Sequence, residues 1–137
     1  MKIMGIDYGD ARTGIAISDL LCSIVGTTYV IHSRNRDKTL QQIKQLCEEN
    51  GVTELVLGLP KNMDGTEGPR AELCRQFAEA LRVETGLQVH FWDERRTTVE
   101  AHNILSEHNY HGKKRKNTVD AVAAALILEG YLAFRKN

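Results

Sequence analysis

Lys2-Ile3-Met4-Gly5-Ile6-Asp7-Tyr8-Gly9-Asp10-Ala11-Arg12-Thr13-Gly14-Ile15-Ala16-Ile17-Ser18 decides the fold. Lys2 to Tyr8 is a short apolar strand, Gly9-Asp10-Ala11 is a turn signal, and Gly14 to Ser18 is a second apolar run. Two strands joined so tightly form an antiparallel hairpin. Thr27 to His32, rich in β-branched residues, predicts a third strand and makes the opening a meander.

Downstream of the meander the periodicity changes. Leu40, Ile43, Leu46 and Cys47 fall at helical spacing, with Asp37 as the expected cap and Asn50-Gly51 as the stop. Glu54 to Leu59 is a continuous apolar run, as in a strand buried on both faces. Pro60 to Pro69 reads as a loop. Ala71 to Glu84 reads as a helix with Leu73, Phe77 and Leu81 on one face, ended by Gly86. Gln88 to Trp92 is a short strand running into Asp93-Glu94-Arg95. A helix capped by Thr97 or Thr98 follows, with Val99, Ile104 and Leu105 as its apolar stripe. Asn109 to Asn117 reads as a basic loop. Thr118 to Phe134 is the strongest helix, with Val119, Val122, Ala123, Leu126, Ile127 and Tyr131 in one stripe. The order βββαβαβαα implies parallel crossovers after the meander, and hence an α/β fold with a mixed five-stranded sheet flanked by helices.

The chain has 137 residues, the size of one domain, and 18 cations balance 18 anions. Net charge therefore gives no sign of a nucleic-acid partner, and any such binding must come from a local patch. Cys22, Cys47 and Cys74 form no CxxC pair, which argues against a structural zinc site and for reduced thiols in a cytoplasmic protein. The apolar N-terminal stretch is too short for a signal peptide, and no run reaches the length of a membrane span.

Three acids stand out by position. Asp7 ends the first strand, which is central in such a sheet. Asp93 or Glu94 follows the last strand, and Asp120 sits in the first turn of the last helix. Ligands of open α/β sheets lie beyond the carboxyl ends of the strands, where these acids converge. Taken singly, each has a plain structural role: a turn residue, a helix-dipole charge, a surface ion pair. Taken together they suit hard divalent cations, which take oxygen ligands and activate water for phosphodiester cleavage. Without metal, at least one of them has a raised pKa. The rival reading is a nucleotide-binding loop at Asp7-Tyr8-Gly9, like that of sugar kinases, actin and the large heat-shock chaperones. Those proteins bind ATP between two such domains, and this chain has room for one.

Asp7-Tyr8-Gly9 with Arg12-Thr13-Gly14-Ile15-Ala16 resembles the opening of the YqgF/RuvX family. So do Gly58-Leu59-Pro60-Lys61-Asn62-Met63-Asp64-Gly65-Thr66, Trp92-Asp93-Glu94-Arg95 with Thr97-Thr98, and Asp120-Ala121 with its alanine run. The resemblance covers the whole chain in order. It implies one ribonuclease H-like nuclease domain over residues 1–137. It also implies hydrolysis of phosphodiester bonds, either in maturing the 5′ end of the 16S rRNA precursor or in resolving Holliday junctions. By the family pattern Asp7, Glu94 and Asp120 form the acidic triad that binds Mg2+ or Mn2+, with Asp93 and Arg95 in support. A non-catalytic RNA-binding module is the reading from another class.

For the substrate, Lys113-Lys114-Arg115-Lys116 lies just upstream of Asp120, where cations would grip flanking phosphates in a salt-sensitive way. Arg12, Lys61, Asn62 and Arg70 are further candidates for a backbone phosphate. Tyr8 and Trp92 suit either base stacking or packing. None of the five histidines is assigned to chemistry. A monomer or weak homodimer suits RNA processing, and a junction resolvase would need a symmetric dimer.

Overall fold

The structure is a computed structural model that describes the backbone of residues 1–96 and 112–136, and the side chains of 1–95 and 119–135. Its five strands are β1 (Lys2–Asp7), β2 (Arg12–Ser18), β3 (Val25–His32), β4 (Val52–Leu59) and β5 (Gln88–Asp93). They form one sheet in the order β3-β2-β1-β4-β5. β1 pairs antiparallel with β2 and parallel with β4, so the first strand is central as expected. β2 and β3 are antiparallel; β4 and β5 are parallel. The carboxyl ends of β1, β3, β4 and β5 therefore lie along one edge, together with the start of β2.

Helices α1 (Arg36–Asn50) and α2 (Pro69–Thr85) cover one face, and α3 (Gly112–Lys136) covers the other. Strand alternation divides the apolar residues between two cores. Met4, Ile6, Ile15, Ile17, Leu55 and Leu57 pack under α1 and α2, around fully buried Phe77 and Leu81. Ile3, Ala16 and Val56 pack under Ala124, Ile127, Leu128 and Tyr131 of α3. β4 contributes to both cores, which explains its unbroken apolar run.

Several local expectations are corrected. Asn35, not Asp37, caps α1: its side chain accepts from the Lys38 N–H at 3.0 Å. Asp37 lies within the first turn, where its charge favours the helix dipole. Gly51 and Gly86 do end α1 and α2, both with positive φ. Leu73 is exposed, and the buried stripe of α2 is Ala71, Cys74, Phe77, Ala78 and Leu81, because packing extends along the i, i+3, i+4 rows of both neighbours. Pro69 occupies the first turn of α2, where a missing N–H costs nothing. α3 begins at Gly112, so the backbone of Lys113–Lys116 is helical and not a loop, and Asp120 stands two turns inside the helix. The buried residues of α3 are Ala124, Leu126, Ile127, Leu128, Tyr131 and Leu132, so Leu126, Ile127 and Tyr131 are buried as expected, whereas Val119, Val122 and Ala123 are only half-buried. The expected helix after Thr97 lies outside the described residues, as do His102, His108 and His111. The three cysteines are buried free thiols.

Candidate functional site

Asp7, Gly14 and Arg12 share the α3 face of the sheet edge, because Asp7 lies opposite Gly14 in the β1–β2 register and Arg12 is two residues from Gly14. α3 crosses this face so closely that a Cβ on Gly14 would sit 2.0 Å from the Asp120 carbonyl oxygen. The absence of a side chain at Gly14 is what lets Asp120 come down beside Asp7.

Glu94 reaches the same place from β5. It directly follows the strand as the first residue of a 3-10 turn (Glu94–Arg96). Alternation puts Trp92 and Glu94 on the α3 face and Asp93 on the other. A Cβ on Gly58 would lie 2.7 Å from the Glu94 Oε1 and 2.6 Å from the Ile127 Cδ1. The glycine in the middle of this buried strand thus opens the slot through which Glu94 crosses β4. Sequence reading saw Gly58 only as part of a motif; a lone glycine inside an apolar strand is itself a signal of close approach.

The side chains of Asp7 and Glu94 are hydrogen-bonded to each other. Burial, the Asp7 charge and this bond push the Glu94 carboxyl up from 4.5 to about 8. Glu94 therefore holds the shared proton and donates to Asp7. Asp7 is raised as well, by burial first and then by the Asp120 charge, against the lowering bond from Glu94 and the positive charge of Arg70. Asp120 is raised by burial against the pull of Arg12, whose Nε donates to Asp120 Oδ2 at 2.9 Å. His32, opposite Arg12 in the β2–β3 register, also bears on Asp120.

Two half-buried carboxyl groups sharing a proton, with a third carboxylate close enough to raise one of them, form a hard-oxygen donor set. That suits a divalent cation in its chemistry. In this arrangement the set is not closed: among the described residues no three acidic, histidine or cysteine groups stand close enough to hold a metal. Asp120 is bound by Arg12.

The other expected residues fall into distinct groups. Asp93 is not part of the pair. It binds Arg95 through both oxygens, at 2.6 to 3.0 Å, and is lowered chiefly by that bond. Arg95 also donates to the Met63 carbonyl at 3.3 Å, so it staples the Pro60–Pro69 loop to the end of β5. Asn62 is exposed, and its amide is spent within the loop, donating to Thr66 Oγ1 at 2.9 Å. Arg70 pairs with Asp10 at 2.7 Å, donates to the Tyr8 carbonyl and lies over the Tyr8 ring. Tyr8 stacks on Phe77 at 3.7 Å, which makes it a packing residue and not a platform for a base. Trp92 packs against Gly130 and edge-on to Phe134. The side chains of Lys113–Lys116 lie outside those described.

A family model described as RuvX, Holliday junction resolvase, matches residues 1–134. A protein of Carboxydothermus hydrogenoformans is 44% identical over 135 residues, covering 98% of both chains. One of Halothermothrix orenii is 46% identical over 135 residues, covering 98% of this chain and 96% of its own. Both are named as candidate pre-16S rRNA nucleases. Among solved structures, T. thermophilus RuvC in complex with a Holliday junction superposes with a TM-score of 0.63 at 11% identity, over 99% of this chain and 96% of that one. The fowlpox virus Holliday junction resolvase gives 0.59 at 14% identity, over 98% and 99%. At such identities the likeness establishes the fold, which is ribonuclease H-like and of the RuvC kind.

Proposed function

This chain belongs to the RuvX family, and on that footing we propose that it is a metal-dependent nuclease, a hydrolase of phosphodiester bonds that matures the 5′ end of the 16S rRNA precursor. The observation that carries the reading is the proton-sharing pair Asp7–Glu94, with Asp120 beside it, at the carboxyl edge of the sheet. Full-length relatives named as nucleases of that precursor favour RNA as substrate.

Asp7, Glu94 and Asp120 would hold Mg2+ or Mn2+. The chemistry supplied by such an ion is Lewis acidity toward a water and a phosphate oxygen. The protein's own part follows from the geometry. Glu94 has to release its proton before it can act as a ligand, so loading is favoured as pH rises. Asp120 has to leave Arg12, and the guanidinium so freed can take a phosphate oxygen in a charge-assisted bond. Asp93, held by Arg95, fixes the turn that aims Glu94.

Residues 1–137 would act as one nuclease domain, as a monomer or weak homodimer in the cytoplasm. No helix among the described residues is long and apolar enough to cross a membrane.

The test is cleavage of an rRNA precursor fragment and of a four-way DNA junction, by wild type and by Asp7→Asn, with Mg2+ or Mn2+ and with chelator. RNA cleavage lost in the variant and with chelator is the expected result. Paired nicks in the junction alone would move the substrate to branched DNA. Full activity in Asp7→Asn would remove the proposed site, and salt-dependent RNA binding without any cleavage would make the chain an RNA-binding module.

A further inference from the structure

Two of the cations that sequence reading gave to the substrate, Arg12 and Arg70, are already engaged by Asp120 and Asp10. At the same carboxyl edge, two strands from β1, the corner between β3 and α1 carries two exposed arginines, Arg34 and Arg36, which have no carboxylate partner among the described residues. This corner is fastened to the site. The Ser33 N–H donates to the Ala11 carbonyl at 3.1 Å, tying it to the β1–β2 turn. Ser33 Oγ accepts from the Asn35 N–H at 3.1 Å, and Thr39 Oγ1 donates to the Asn35 carbonyl at 3.1 Å. Arg36 acts on the hydroxyl of Tyr8, which stacks on Phe77, so Arg36 lies toward the α1–α2 side of this edge while the acids lie on the α3 side. Arg12 and His32 face each other on the neighbouring strands.

The cations thus lie to one side of the acids, across β2 and β3. On the other side, beyond β4, stands Lys61, whose charge reaches Asp93; Arg95 there is already engaged by Asp93. Along the edge the carboxylates sit between the Arg34–Arg36 corner and Lys61. From β3 to β5 the edge spans four strand spacings, about 19 Å, enough for a strand of several nucleotides.

We propose that Arg34 and Arg36 hold the phosphate backbone of single-stranded RNA on the β3–α1 side of the acidic centre, so that the strand runs across the sheet edge from this corner toward Lys61. The inference rests on the nuclease reading for its substrate. The charge complementarity is local: the chain as a whole is neutral, with 18 cations and 18 anions, so binding requires a local cluster of this kind. The corner's hydrogen bonds hold both arginine backbones in place before any ligand arrives, which lowers the ordering cost of the contact.

The experiment measures binding of a labelled single-stranded RNA, with chelator present to prevent cleavage, as a function of salt. It compares wild type, the double variant R34A/R36A and the control K44A/R82A. The control removes the same charge near the far ends of α1 and α2, where Lys44 faces Glu84 and Arg82 faces Glu79. Two lost phosphate contacts reduce the slope of log affinity against log salt by about 1.4 for a single strand. Raising salt fourfold then costs the R34A/R36A variant about sevenfold less affinity than wild type. The control should keep the wild-type slope, and R34A/R36A should keep its melting temperature. In cleavage assays KM should rise with kcat unchanged. Equal loss in both double variants would mean a general field and would overturn the proposal, as would an unchanged slope in R34A/R36A. Wild-type cleavage of the RNA, run in parallel, separates the two claims. Cleavage with an unchanged slope sinks only the RNA track; a track without cleavage sinks the nuclease reading.

Discussion

Replacing Glu94 by Gln should flatten the pH dependence of this protein's metal-free stability. The folded protein holds a proton on Glu94 that the unfolded chain releases at its ordinary pKa. Between those two values the native state binds more protons than the unfolded state, so stability falls as pH rises. The fall begins above 4.5 and is complete beyond about 8. That displacement corresponds to about 5 kcal/mol at 1.36 kcal/mol per pH unit for a fully enclosed carboxyl. Glu94 is part-exposed and shares its proton with Asp7, so solvent screening reduces this to about 2 to 3 kcal/mol. Asp7, raised in the same direction, adds to the slope. Glutamine keeps the shape and can still donate to Asp7, but it cannot ionise. The assay is urea unfolding with chelator at pH about 5 and about 8.5. Wild type should lose about 2 to 3 kcal/mol across the interval, and Glu94→Gln less than about 1 kcal/mol. A wild-type stability that is level across this range, or a variant that loses as much as wild type, would refute the shared proton.

A divalent cation should reverse the trend at high pH: Mg2+ or Mn2+ at about a hundred times its dissociation constant adds about 2.7 kcal/mol by mass action. Thermal unfolding at pH about 8.5 with and without the ion measures this, and no shift for wild type would argue against a metal centre. Gly58→Ala should displace Glu94, because the added Cβ would meet its carboxylate at 2.7 Å; cleavage should fall at least a hundredfold, while circular dichroism stays native. Gly14→Ala sets a Cβ 2.0 Å from a backbone carbonyl and must push α3 off the sheet, for a loss of about 1 to 3 kcal/mol in urea unfolding. Phe77→Ala, in the centre of the α1–α2 core and under Tyr8, should cost about 3 to 5 kcal/mol by the same measurement.

The mixed five-stranded sheet, the central place of β1 and the double burial of β4 were readable from the chain, because alternation and unbroken apolar runs are dictated by the pleat. What misled the reading of the last helix is equally physical. Lys113 to Lys116 look like a solvated loop by charge. Yet straight-chain cations are good helix formers, and the helix starts at Gly112, where charge alone gives no boundary signal. Leu73 and Val122 were assigned to buried stripes by hydrophobicity; which rows a helix buries depends on the partners it meets, and those are set by the fold. The choice between Asp93 and Glu94 could in principle be made from parity: Trp92 and Glu94 share a face with Gly58 and Asp7, and Asp93 does not. That inference requires the β4–β5 register, which pairs Gly58 with Trp92.

The pairing of Arg12 with Asp120 was not legible, and it bears on how the centre would be loaded. A triad fully exposed to one another would repel, and the fold would have to hold three charges together without a cation. Here the load is divided: Glu94 is neutralised by a proton and Asp120 by a guanidinium, which leaves Asp7, half-buried, with the charge of Arg70 nearby and the Glu94 hydrogen bond to offset it. Each neutraliser is exchangeable. The proton leaves as pH rises toward about 8, and the guanidinium can leave when a phosphate offers it another anion. Metal affinity should therefore rise both with pH and on adding RNA, and the second effect should be lost in Arg12→Ala, in which Asp120 is free from the outset. Titration of Mn2+ into Asp7-intact protein, with and without an uncleavable RNA analogue, measures both. If RNA raises Mn2+ affinity equally in wild type and in Arg12→Ala, then Arg12 does not gate Asp120, and the coupling must arise from the RNA phosphates directly ligating the ion.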